Sequence, residues 1–114
     1  MRLVFKICLA PEWNDASETG EYLGSPDDLR DGFVHLSTSH QLRGTAAKYF
    51  SGMDDLVLVA FSADRLGPQL KWEPSRGGDL FPHFHGPLPV RLAEWVKPLP
   101  FKDGTHRFPA EAGI

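Results

Sequence analysis

A chain of 114 residues, 41% of them hydrophobic and with a formal charge of −3, suits one domain built on one core. With no basic excess, nonspecific nucleic-acid binding is not indicated, and a single cysteine, Cys8, excludes an internal disulfide or a cysteine-built zinc cage. The longest apolar run, residues 56–61, is too short to cross a bilayer and the N-terminus carries no apolar signal stretch, so the cytoplasm is the expected compartment.

Leu3 to Cys8 reads as a first strand that puts Lys6 on the same face as Val4 and Cys8. Trp13 to Gly20 reads as a short helix ended by Gly20. Ser25-Pro26-Asp27-Asp28 is a helix start, with proline at the first helical position and an acid three residues after the cap. Asp31-Gly32 breaks that helix, and Phe33 to Ser37 follows as a strand with His35 and Ser37 on one face. Thr38-Ser39-His40-Gln41 has the form of a capping box, and Leu42, Ala46, Tyr49 and Phe50 give the following helix an apolar stripe. Leu56 to Phe61, apolar on both faces, predicts a central buried strand. Residues 62–68 read as one helical turn. Leu70 to Glu73 reads as a short strand with Lys71 and Glu73 on one face and Trp72 on the other. The stretch 74–79 is a loop by composition. Phe81 to His85 is extended, and Pro82 predicts an edge position for it. Val90 to Val96 reads as a last strand. The whole is one α+β domain over residues 1–114, with its core in 3–99 and a surface tail in 100–114.

Several residues in this order bear chemistry. His35 and Ser37 end their strand at a helix start, where orphan N–H groups favour an anion. Thr38 and Ser39 are explained equally by capping. Glu73 is either a salt-bridged surface acid or a carboxylate for a developing cation or a ribose hydroxyl. Arg76, between Ser75 and Gly77, suits a phosphate but also a solvated loop charge. His83 and His85 share one side of an extended segment. With His35 they make three imidazoles, enough for an open zinc site, although this spacing is weak evidence and no metal is expected. His40 and His106 read as exposed, and Trp13, Trp72 and Trp95 as core. No Gly-x-Ser-x-Gly elbow and no glycine-rich phosphate loop is present.

The same residues carry a resemblance. Glu12-Trp13 with Ala16, Gly20-x-Tyr22, Asp31 to Thr38 with Gln41, Asp54 to Leu58, Leu70-Lys71-Trp72-Glu73 and Phe81-Pro82-His83-x-x-Gly86-Pro87-Leu88 together resemble the bacterial and plant family called domain of unknown function 952. The resemblance covers residues 3–99. That family is similar in fold to the ADP-ribosyltransferases and the tRNA 2′-phosphotransferases. It therefore implies a split β-sheet core with one main helix and short helical turns, around a cleft that takes NAD. On that footing His35 and Glu73 are the implied catalytic pair. Lys6, Ser37, Thr38, Arg76, His83 and His85 are the implied cofactor-binding residues. Lys6 stands where those enzymes usually offer a histidine or arginine, and lysine lacks their forked contact. The implied function is binding of NAD or a related nucleotide, with transfer of ADP-ribose to an unspecified acceptor. The alternatives are a ligand- or protein-binding module without catalysis, and a histidine-based metal-dependent hydrolase.

Overall fold

The structure, a computed structural model, describes residues 1–114. The chain runs β1 (Leu3–Leu9), α1 (Ala10–Thr19), β2 (Glu21–Tyr22), α2 (Pro26–Asp31), β3 (Val34–His35), α3 (Leu42–Tyr49), β4 (Leu56–Ser62), α4 (Ala63–Leu66), β5 (Leu70–Pro74), β6 (Leu80–Phe84), β7 (Leu88–Pro89), β8 (Ala93–Pro98), β9 (Phe101–Lys102) and β10 (Thr105–His106). It is a mixed α/β fold with several antiparallel sheets. Two three-stranded sheets dominate, one ordered β1-β4-β8 and the other β3-β6-β5. One backbone bridge joins them: Phe5 and Ser37 exchange N–H···O bonds of 2.8 and 2.9 Å.

β4 lies at the centre of the first sheet, as its two-sided apolarity predicts, with Leu58, Val59, Ala60 and Phe61 fully buried. It separates two apolar clusters. Its odd side chains, Val59 and Phe61, pack with Val4, Cys8 and Trp13 of β1 and α1. Its even ones, Leu58 and Ala60, pack with Phe5, Ile7, Leu42 and Ala46. The second sheet alternates too. Val34 and Leu36, Phe84, and Leu70 with Trp72 face the first cluster. The intervening residues, His35, His83 and Glu73, therefore point the other way.

The extended segment with Pro82 takes a central place in its sheet, not the edge predicted for it. The Pro82 carbonyl accepts from Leu36 N–H at 3.0 Å, but proline cannot return the second bond of that pair, and β3 ends at His35. The helix expected from Thr38 opens instead with a 3-10 turn, Ser39–Gln41, and only then becomes α3. Tyr49 is exposed, not part of the buried stripe. The strand expected from Val90 to Val96 opens instead with a 3-10 turn at Val90–Leu92 and becomes β8 only at Ala93. α1 begins at Ala10, ahead of the predicted start, because Pro11 suits a first turn. The C-terminal segment is built into the fold: Leu99 and Ala112 are buried in the second cluster. His106 is buried as well, not exposed as expected. Its Nε2 lies 2.9 Å from the Met53 carbonyl and its ring packs edge-on against Phe101.

Candidate functional site

Between the two sheets, over the Phe5–Ser37 bridge, lies a cleft of about 230 Å³. β1 gives Phe5, Lys6 and Ile7 to its floor. α2 gives Asp27, Asp28 and Asp31 to one end. Thr45 of α3 and Arg76 stand at the other, and His35, Ser37 and His83 line the wall between. No residue after Pro98 reaches it.

The acidic end is organised by Asp28, which is 2% exposed. Ser25 caps α2, and the Asp28 side chain returns to the Ser25 N–H at 2.9 Å, completing a capping box. The same carboxylate does more. Its Oδ2 accepts from Lys6 Nζ at 2.8 Å, and its Oδ1 accepts from the His35 N–H at 3.0 Å and lies 2.6 Å from His35 Nδ1. Burial alone would raise this carboxyl. The His35 contact and the Lys6 charge overcome that and hold it well below the usual carboxylate range. His35 Nε2 lies 3.0 Å from Asp31 Oδ2, so the ring sits between two carboxylates with a third of its side chain exposed. Gly32 makes this geometry: at φ +86 it ends α2 and turns the chain directly into β3.

Lys6 is 5% exposed, and its ammonium is committed to Asp28 and to the His35 carbonyl at 3.1 Å. It is part of the frame that fixes His35 and has little left for a phosphate. Arg30 pairs with Asp27 and Asp31, each at 3.1 Å. Arg76 is different. It lines the cleft and has no carboxylate partner.

Glu73, implied by the resemblance as the catalytic partner of His35, stands behind His83 and does not line the cleft. In the register of β5 and β6, Lys71 pairs with His83 and Glu73 with Phe81, so Glu73 and His83 are diagonal neighbours on one face. Glu73 Oε1 lies 2.8 Å from His83 Nδ1 and 2.8 Å from His85 Nε2. Contact with His85 and then His83 holds the half-exposed Glu73 carboxyl below its ordinary value. His83 is 3% exposed, and burial pushes its ring down despite the carboxylate. The neutral ring then carries its proton on Nδ1, facing Glu73, and presents a lone pair at Nε2. That Nε2 is buried and has no partner. Phe33 fixes the ring by stacking on it at 4.1 Å, and also packs against His35 and His85 at 4.7 and 5.2 Å.

Of the residues singled out from the sequence, Lys6, His35, Ser37, Arg76 and His83 share the cleft, and Thr38, Glu73 and His85 do not line it. Thr38 serves α3, donating its N–H to Gln41 Oε1 at 3.0 Å. The three imidazoles do not converge on one point, because Phe33 lies among them and their nitrogens turn to carboxylates. No group of three or more His, Cys, Asp or Glu side chains is arranged to hold a metal ion. Cys8 is buried, and burial pushes its thiol up to about 12, which leaves it inert as a nucleophile. Asp28, Phe33 and Thr45 belong to the site without a sequence signal that marks them. The capping position of Asp28 gives it a sufficient purpose, and nothing local distinguishes the other two.

This fold and site define a small α/β protein with a polar cleft between two antiparallel sheets. The chain belongs to the family described as Protein of unknown function (DUF952), whose model matches residues 7–96. The crystal structure of protein CC0527 from Caulobacter crescentus is similar over 98% of this chain and 99% of that one, at 42% identity and a TM-score of 0.92. The crystal structure of a double mutant of CC0527 matches equally, and the solution structure of CC0527 matches at 44% identity over 93% of this chain and 91% of that one, with a TM-score of 0.83. No functionally curated protein matches the chain.

Proposed function

We propose that the cleft holds NAD, or a nucleotide related to it, as a split-sheet core of the ADP-ribosyltransferase type would, and that ADP-ribose transfer is the reaction the site is built toward. The observation that carries this reading is the polarity of the cleft. One end sets an imidazole between two carboxylates, and the other holds an arginine with no carboxylate of its own. The nicotinamide half of NAD has matching poles: the anionic diphosphate for Arg76 and the cationic nicotinamide ribose for the acidic end. The volume, about 230 Å³, is below the roughly 300 Å³ where pockets for drug-sized ligands begin, so the cleft encloses one half of a dinucleotide and leaves the other on the rim.

In the transfer, the bond between ribose C1′ and the nicotinamide nitrogen breaks and its electron pair leaves with nicotinamide, which departs neutral. The oxocarbenium-like ribose then bonds to the acceptor oxygen or nitrogen, whose proton is lost to a base. Asp31 and His35 supply orientation and negative field at the ribose. The expected outcome is calorimetric binding of NAD and ADP-ribose, weakened at least tenfold by His35→Ala, with nicotinamide release as the activity readout. A well-folded sample silent to both ligands removes the reading.

One observation favours a second reading, binding without turnover. Glu73 is spent on His83 and His85 and does not line the cleft. In that case NAD or ADP-ribose binds, no nicotinamide is released, and Glu73→Gln leaves affinity unchanged.

A further inference from the structure

α3 carries a glycine in its first turn, Gly44, where alanine would favour the helix. Its backbone is helical, so no turn requires it. What occupies the missing side chain is Arg76: a Cβ at Gly44 would lie 3.1 Å from Arg76 Nη2. The guanidinium lies against this notch with its Cζ 5.0 Å from the centre of the Phe81 ring. Its two Nη groups make long hydrogen bonds, 3.5 and 3.4 Å, to Thr45 Oγ1. Thr45 Oγ1 in turn shares one hydrogen bond with Ser37 Oγ at 3.1 Å. One bond between two hydroxyls uses one proton, so whichever donates, the other hydroxyl has a proton left for a ligand. Both hydroxyls line the cleft. The remaining cations of the cleft, Lys6 and Arg30, already face carboxylates.

We propose that Gly44 is a positioning residue: its notch seats the Arg76 guanidinium beside Thr45 and Ser37, and the three side chains form an oxyanion site for the diphosphate of a small nucleotide. This rests on the nucleotide reading of the cleft, which gives the phosphates to Arg76, and adds the notch that places the guanidinium and the hydroxyls that share the anion with it. The site takes phosphate oxygens through the fork of Arg76 and one hydroxyl. The glycine trades helix stability for the placement of a cation, which gives the proposal a sign that packing alone would not produce.

The test titrates inorganic pyrophosphate, orthophosphate and NAD into the wild-type protein, Gly44→Ala and Arg76→Ala, with melting temperatures measured on each. Pyrophosphate is expected to bind the wild type more tightly than orthophosphate. Arg76→Ala is expected to weaken it at least tenfold. Gly44→Ala is expected to weaken it several-fold while raising the melting temperature by about 2 °C or more, because only the end of a flexible arginine has to move. Absence of pyrophosphate binding, or Gly44→Ala binding as the wild type does, overturns the proposal. So does a Gly44→Ala protein that loses stability and binding together, which marks the glycine as packing. NAD that binds equally well without Arg76 overturns the oxyanion site and leaves the nucleotide reading standing. Pyrophosphate binding that follows the expected pattern with no response to NAD does the reverse.

Discussion

Four donors meet on the Asp28 carboxylate: Lys6 Nζ, the Ser25 and His35 amides and the His35 ring. Removing its charge strands a buried ammonium, so Asp28→Asn is expected to cost about 3–5 kcal/mol of stability, measured by urea unfolding. The Lys6→Met, Asp28→Leu double variant is expected to recover part of that loss, since neither charge remains to be desolvated. The site also sets a pH profile. Asp28 is held low in the fold, so it stabilises the protein above the unfolded carboxyl value, about 3.9, and that contribution disappears as pH falls below it. His83 is a base that burial holds low. The unfolded chain binds its proton first, and stability falls as pH drops below about 6.5. Glu73 opposes that depression. Glu73→Gln is therefore expected to lower the His83 titration further, read from its ring resonances, and to deepen the loss of stability that begins near pH 6.5. At this scale part of the site is legible in the sequence. Strand alternation is enough to put His35 and Ser37 on one face. Alternation also gives the face of Glu73, but its neighbours, His83 and His85, depend on the β5–β6 register, which no local pattern encodes.

Among the elements, α3 and β6 depend on one side chain. Gln41 accepts the Thr38 N–H through Oε1 at 3.0 Å and donates through Nε2 to the Leu80 carbonyl at 2.8 Å. It ties the start of the helix to the strand that carries His83. Gln41→Ala is expected to lower stability by about 1–2 kcal/mol, seen as a shift of the denaturant midpoint without a change of slope. The capping box is readable because it is local. Its second bond, 39 residues away, is not. The position of β6 escapes the sequence for a related reason. Proline forbids an N–H, not a place in the sheet, and here the partner strand ends where that N–H would have been needed. β4, by contrast, is legible in full, since a strand apolar on both faces has one place to go.

Over the whole molecule, the C-terminal segment and the cleft lie apart. Ala112 is buried with Phe5, Leu58 and Leu99, and Phe108 packs on the same cluster, while no residue of this segment lines the cleft. Deleting residues 108–114 is expected to cost about 2–4 kcal/mol, from the loss of buried apolar contacts, and to leave pyrophosphate affinity at the wild-type level. Thermal unfolding and titration of the shortened chain check both. Composition suggests a strap laid over the outside, because a segment rich in proline and glycine gives no hint of the two side chains it anchors. The architecture has one seam. Phe5 and Ser37 are stitched by two backbone hydrogen bonds at the base of the cleft, where the ladders of the two three-stranded sheets meet. That seam is clamped from beneath, because Val34, Leu36 and Phe84 of one sheet share a buried cluster with Val4, Val59 and Phe61 of the other. The distance from Asp31 to Arg76 is thus held by the common core, and the cleft acts as a fixed gauge that selects a ligand by its length.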